Sequence, residues 1–255
     1  MTAVDTGPAV GGDRREERRL ARRAALLGAA FGIVNREGIP GLTMQAVADR
    51  VGCSVGTVYT HFSSKGVLLA DLQDVSVRRI TRSFVAVRAR SHGLLDDAEA
   101  SERERAAADL LLFGEFFVAC WDAFPEESHM LFSVLAERGV IVPADELDRV
   151  IDSTLGLLGL GFEIIEQAAV HDVIGHGPAM DRVVMGASAM LGVLLTSHLG
   201  HLDANAFDHR RLARTTWADL VAGWGLSAAD EAPALAHLAA LAAAGPVAPD
   251  PGDDR

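Results

Sequence analysis

The sequence predicts an all-α protein, and three observations carry that prediction. Alanine, leucine and glycine abound among its 255 residues while aromatic residues make up only 5%, a bias that suits helices better than a β-sandwich or barrel. Apolar residues recur every three or four positions over long stretches, the period of a helix that buries one face. Proline, glycine, serine and threonine fall between those stretches, where helices start and stop. A hydrophobic fraction of 49% against 23% charged residues excludes wholesale disorder and provides for a sizeable core. About nine helices in two unequal blocks are expected.

Residues 1–12 read as a disordered tail containing glycine and proline. A helix starts at Asp13 and aligns Leu20, Ala24, Leu27, Phe31 and Val34 on one face. Its opposite side carries two arginine rows at i,i+4 spacing, Arg14, Arg18, Arg22 and Arg15, Arg19, Arg23. Gly38 and Pro40-Gly41 end it. Thr43 is a good N-cap for a short helix to Val51, and Gly52 follows where a left-handed residue closes a helix. A second short helix opens at Ser54 and runs to about His61, after which Ser63 or Ser64 caps a long helix from Lys65 to about Arg90.

A charge-rich joint, Asp96 to Arg105, comes next, and Ser101 with Glu104 has the spacing of a capping box. The helix it opens carries Leu110, Phe113, Phe117, Cys120, Trp121 and Phe124 and stops at Pro125. Four further helices are expected: Pro125 to Gly139, Pro143 to about His171, Pro178 to about His201, and Asn205 to about Gly225. The Ala/Pro-rich end, residues 229–255, reads as a frayed tail.

Charge divides the chain as well. The formal net charge is −12, yet residues 1–90 hold 14 basic against 8 acidic residues and residues 91–255 hold 9 against 27. A basic N-terminal third is the electrostatic footprint of phosphate binding, and the acidic remainder, at −18, repels a polyanion. The arginine-rich start followed by Ala24 to Val34 superficially resembles a signal peptide, but no small-residue cleavage site follows and the apolar positions keep helical spacing. Cys53 and Cys120 are the only cysteines, too few for a disulfide framework or a cysteine zinc site. A cytoplasmic protein is expected. Val183 to Leu202 lacks Asp, Glu, Lys and Arg and has spanning length, but it holds Ser188, Thr196, Ser197, His198 and His201. It reads as a helix–helix interface, with no membrane partner.

Function concentrates in residues 43–62. Val47 and Val51 lie four apart on one short helix and Val58 and Phe62 four apart on the next, so each buries a stripe, while Ala46 and Ala48 permit close approach and Gly52 the sharp turn. Left outward on the second helix are Ser54, Gly56, Thr57, Tyr59, Thr60 and His61, with Val55 ambiguous. Short polar groups and a tyrosine suit hydrogen bonding to phosphates and base edges. The chain's single tyrosine, Tyr59, and single lysine, Lys65, both fall here. Taken alone, Tyr59 reads equally as a core aromatic and the arginine rows as a solvated face; the ordered spacing and the reversal of charge favour DNA.

The run from Gly52 to Lys65, with Gly56-Thr57-Val58-Tyr59 followed by His61-Phe62 and Ser64-Lys65, resembles the signature of the TetR family of bacterial transcriptional regulators. Ala29 to Gly38 and Leu42 to Ala48 are similar to that family's first two helices, so the resemblance covers roughly residues 15–75. It implies an N-terminal three-helix helix-turn-helix domain (13–66), then a larger helical effector-binding and dimerisation domain (67–228), with the helix 65–90 as connector. It further implies that Thr43, Tyr59, His61 and Lys65 contact phosphates, while Ser54, Val55, Gly56, Thr57 and Thr60 face the major groove. Two positions depart from the family's pattern: Gly66 where an acidic residue is common, and Val55 where a polar or basic one is frequent.

The resemblance also implies a homodimer on a pseudo-palindromic double-stranded operator, acting as a repressor that a small effector releases. Small residues Gly186, Ala187, Ala189 and Gly192 suit close helix contact at a dimer interface. Phe113, Phe117, Trp121, Leu131, Leu158, Phe162 and Ile165 are the candidate effector-pocket walls, with Glu163, Glu166 and His171 as polar candidates, and the domain's negative charge favours an apolar or amphipathic ligand. Plain core packing and a solvated face are the alternative readings of those residues. An activator or architectural DNA binder without ligand sensing stays open. A helical metalloenzyme is the remote alternative: His171 with His176, or His198, His201 and His209 with Asp203, lack a convincing ligand spacing. Gly156, Gly159 and Gly161 have the wrong order for a dinucleotide fingerprint, and no nucleophile elbow occurs. No catalytic residue, metal or cofactor is expected.

Overall fold

The computed structural model describes residues 10–136 and 144–252, and the expected tail 1–12 lies largely outside them. The described residues form ten α-helices and one 3-10 helix, with no strand among them. They group into two compact units. One holds the described residues up to Gln73 and those within Ser133–Val150; the other holds Asp74–Phe132 and residues from Ile151 onward.

In the first unit, α1 (Val10–Gly41) leaves helical geometry at Gly38, whose φ of 70° and ψ of 179° turn the chain just ahead of Pro40. α2 (Met44–Val51) starts where the Thr43 hydroxyl accepts the Ala46 N–H at 3.0 Å. It ends at Gly52, left-handed at φ 70° and ψ 44°, and the Cys53 N–H returns to the Ala48 carbonyl at 3.0 Å. A side chain at Gly52 would strain that turn, which is why glycine closes it. α3 (Val55–His61) follows after two residues, N-capped by Ser54. α1 packs on α2 and α2 on α3, enclosing Leu26, Ala30, Phe31, Val34, Leu42, Val47, Val58 and Phe62. Of the expected apolar stripes, Leu27, Phe31, Val34, Val47, Val58 and Phe62 are buried, Val51 is half-buried, and Leu20 and Ala24 are exposed.

α4 (Lys65–Asp97) outruns its expected end near Arg90, because Ser91 and Leu95 are buried and keep the last turns in register; it closes beyond Leu95, whose carbonyl accepts the Ala100 N–H. The second unit is built around α5 (Glu102–Ala123), which opens with the expected capping box of Ser101 and Glu104. α6 (Pro125–Ala136) and α7 (Ala144–Val170) follow; the expected boundaries at Gly139 and Pro143 lie outside the described residues. α8 (Ala179–Leu195) continues as a 3-10 turn over Thr196–His201, and α9 (His209–Gly223) starts at its Asp208 cap, later than Asn205.

The expectation of a frayed C-terminal tail is overturned. Residues 228–244 form α10 (Ala228–Ala244), which lies against α5 and buries Ala234, Leu238 and Leu241. Ser227 caps it, and Asp230 makes a two-pronged ion pair with Arg103 at 2.7 and 2.9 Å. Beyond it the chain is tied to the second unit's part of α4: Arg90 donates to the Pro246 carbonyl and Ser83 to the Pro249 carbonyl, each at 2.7 Å, and Arg79 pairs with Asp250 at 3.3 Å. Alanine and proline content suggested a tail, but alanine is also the best helix former, and leucines at three-residue spacing supply the buried stripe.

Candidate nucleic-acid interface

Helix α3 sits on two fully buried side chains, Val58 and Phe62. That fixes which residues it turns outward. Ser54, Gly56, Tyr59 and Thr60 are exposed, and Val55, Thr57 and His61 are half-buried. Tyr59 is 52% exposed, so the core reading of this aromatic does not hold. The hydroxyls are ordered by local bonds: Ser54 Oγ accepts the Thr57 N–H at 3.2 Å and lies 3.0 Å from Thr57 Oγ1, while Thr60 Oγ1 donates to the Gly56 carbonyl at 2.9 Å. Their lone pairs remain as acceptors, and the Thr57 and Thr60 methyls as apolar contacts. Such a surface can meet base edges without long flexible side chains.

The flanks of α3 are charged and braced. Arg23 pairs with Asp71 and its guanidinium lies 5.2 Å from the centre of the Phe62 ring, so it fixes the end of α3 through the phenylalanine. His61 is held below the ordinary histidine value, chiefly by burial and then by the positive charge of Arg19, Arg23 and Arg22. Lys65 is half-buried and its Nζ donates to the Ile39 carbonyl at 2.8 Å. This bond ties the start of α4 to the segment just past the Gly38 break, and leaves two ammonium protons for an anion. Sequence reasoning missed both braces. They depend on the chain's path after Gly38, which no periodicity encodes; the lone lysine was the available signal.

In the second unit, Phe113, Trp121 and Ile165 belong to one buried cluster, with Phe117, Leu131 and Leu158 packed against it. Phe162 is not brought in: it is 39% exposed, whereas Ile164 and Ile165 of the same helix are buried. His171 lies past the end of α7, where its carbonyl accepts from Arg103 at 3.1 Å. Phe113 packs edge-on against Phe84 and Phe117 and beside Trp217, with ring centres 5.1 to 5.8 Å apart. Of the polar candidates, Glu163 pairs with Arg88 at 3.1 Å, and Arg88 also binds the buried Asp109 at 2.8 Å. His198 and His201 each turn Nδ1 to a carbonyl three residues back, at 2.6 Å, and no group of three potential ligands that could hold a metal occurs among the described residues.

No curated protein sequence matches the chain. Residues 26–72 match the family model of bacterial regulatory proteins of the tetR family. Solved structures share the fold over most of their length. The transcriptional regulator FadR from Bacillus subtilis, solved in complex with stearoyl-CoA, is 14% identical, with a TM-score of 0.57 over 78% of this chain and 98% of its own. SmeT, the repressor of the Stenotrophomonas maltophilia multidrug efflux pump SmeDEF, is 16% identical, with a TM-score of 0.57 over 80% and 92%. A TetR transcription regulator from Haloarcula marismortui is 16% identical, with a TM-score of 0.55 over 80% and 98%. The capped helix pair, its exposed polar second helix and the match over residues 26–72 converge: the chain carries at its N-terminal end the helix-turn-helix domain of bacterial regulatory proteins of the tetR family, within an all-α fold that solved TetR-family regulators share.

Proposed function

We propose that this regulator is a cytoplasmic homodimeric repressor of a pseudo-palindromic operator, released by a small apolar or amphipathic effector. The observation that carries the DNA half of the reading is the outward set on α3, held in place by the buried Val58 and Phe62. Ser54, Val55, Gly56, Thr57 and Thr60 read bases; Thr43, Tyr59, His61 and Lys65 grip phosphates. In a dimer the two recognition helices enter major grooves about one helical turn, roughly 34–36 Å, apart.

The dimer is supported by the face of α8. Met180, Val184, Met185 and Leu195 are exposed, on a long apolar stretch, Ala179–His201, whose only Asp, Glu, Lys or Arg residues are Asp181 and Arg182. A second copy offers the same patch and covers it symmetrically. The effector half rests on the aromatic cluster of the second unit, on the negative charge of the C-terminal two thirds, and on two neighbours of the same fold: one holds stearoyl-CoA and the other represses a multidrug efflux pump. Residues 67–228 form the effector and dimer domain in this reading, α4 is the connector, and α10 extends the domain.

Fluorescence anisotropy on duplex DNA from upstream of the protein's own gene, beside a scrambled duplex and across a salt series, tests the reading. Preferred binding of the native duplex, reversed by an amphipathic ligand, is expected. The dense packing around Phe113 favours a second reading, a DNA binder that senses no ligand; unreleased operator binding and an unshifted Tm across an effector panel would select it.

A further inference from the structure

The arginine rows of α1 precede the family match, which begins at residue 26. Arg14, Arg15, Arg18 and Arg22 are exposed, and none of them forms an ion pair among the described residues, whereas Glu16 holds Arg19 and Asp71 holds Arg23. Arg15, Arg18, Arg19 and Arg22 line one wall of a cleft of about 380 Å³ whose other wall is Thr60 and His61, at the end of α3. Glu16 is the one carboxylate in it, and Arg19 already occupies it. Several guanidinium groups converge here without a counter-charge.

Like charges gathered on a rigid helix repel, and an anion in the cleft relieves that repulsion. Guanidinium forks match the paired oxygens of a phosphodiester. The cleft borders the last turn of α3, next to Thr60 on the outward face, so a duplex read by α3 runs past it. We infer that this cleft seats a backbone phosphate of the operator, flanking the bases that α3 reads, with Arg15, Arg18 and Arg22 as its donors. The inference rests on the DNA-binding reading above and extends the footprint beyond the helix-turn-helix itself. The −18 charge of residues 91–255 restricts a polyanion to this end of the chain.

Protonation follows binding. The charged groups around the His61 ring are Arg15, Glu16, Arg18, Arg19, Arg22 and Arg23, all on α1. In the free protein burial first, and then the positive charge of Arg19, Arg23 and Arg22, disfavour the protonated ring. A phosphate beside it offsets the arginines, so the imidazole takes up a proton as DNA docks and becomes a further donor.

The test uses the full chain, a duplex chosen by selection from random sequence, and the triple variant Arg15→Gln, Arg18→Gln, Arg22→Gln. These exposed side chains are not core, and an unchanged Tm verifies the fold. Each backbone phosphate is neutralised singly as a methylphosphonate. In the wild type, neutralising a phosphate just outside the read bases weakens binding several-fold; in the variant the same change has no effect. The slope of log Kd against log salt falls by about 0.9 for each phosphate that the variant no longer neutralises, and base preference is unchanged. An unaltered slope and methylphosphonate pattern overturns the inference while leaving the DNA reading intact. So does a variant that loses only binding to phosphatidylglycerol vesicles. Failure of the wild type to select any duplex overturns the DNA reading and this inference with it.

Discussion

Trp217 donates its indole N–H to the Leu110 carbonyl at 3.0 Å, and this bond sets the spacing of the helices around it. The ring lies against Gly114 of α5 on one side, where a Cβ would overlap the indole, and against Gly186 of α8 on the other, where a Cβ would come within 2.8 Å of it. Gly186 is thus used inside the unit as a seat for Trp217, while Gly192 has open space around it and remains suited to contact with a second copy. Gly114→Ala forces α5 and α9 apart. A loss of about 1–3 kcal/mol in denaturant unfolding is expected, and a variant as stable as the wild type would remove this account of the core.

The C-terminal helix is structural in the same sense. Leu241 is fully buried between α10 and the rest of the second unit. Leu241→Ala lowers stability by about 2–5 kcal/mol, measured by urea denaturation. An effect within about 0.5 kcal/mol would mean that α10 is not docked in solution.

The two cysteines differ in reactivity. Burial pushes the Cys120 thiol up to about 12, whereas Cys53 is half-buried at the turn between α2 and α3. The thiolate is the reactive form, so a thiol reagent labels Cys53 alone in the folded protein and both in urea. Mass spectrometry of the labelled chain reads this directly; rapid native labelling of Cys120 contradicts its burial.

The observed brace of Lys65 and its proposed phosphate contact separate by measurement. Its bond to the Ile39 carbonyl braces the start of α4, so Lys65→Ala lowers stability by about 1–2 kcal/mol. In the proposed reading its remaining ammonium protons go to a phosphate, so the same variant is also expected to flatten the salt dependence of DNA binding. Reduced stability with an unchanged salt slope would leave Lys65 as a brace only.

The pH dependence of DNA binding has a defined sign. His61 in the free protein lies below its ordinary value, through burial first and then Arg19, Arg23 and Arg22, and a bound phosphate raises it again. Affinity therefore grows as pH falls from the bound-state value toward the depressed free-state value, by less than about tenfold per pH unit for one proton. Titrations between about pH 8 and pH 6 show this in the wild type and lose it in His61→Gln. A flat wild-type profile contradicts proton uptake.

Local structure was legible wherever the chain's own neighbours decide it. Thr43, Gly52, Ser54 and Ser101 act as the sequence predicts because a cap is a contact within three or four residues. The stripes Val47 and Val58 with Phe62 followed from helical periodicity. What stayed hidden is set by distant partners. The docking of α10 depends on packing against α5 and on Arg103 meeting Asp230 across 127 residues of chain. The Lys65 brace depends on the path after Gly38. Aromatic residues of α5 and α7 look alike as pocket walls or as core, and the packing of Phe113 against Phe84 and Trp217 could not be read from spacing. Phe162 shares its helix with the buried Ile164 and Ile165 but stays 39% exposed, at the margin of their buried stripe, which a loose clustering of apolar residues concealed.

Selection of bound duplexes from a random pool by the purified chain, repeated with Thr57→Ala and Thr60→Ala, tests most directly that α3 reads bases. The account predicts an inverted repeat with half-site centres about 10 base pairs apart, and altered base preferences within each half-site for the two variants. A pool that shows no enrichment, or one that is enriched identically by all three proteins, would contradict base readout by this helix.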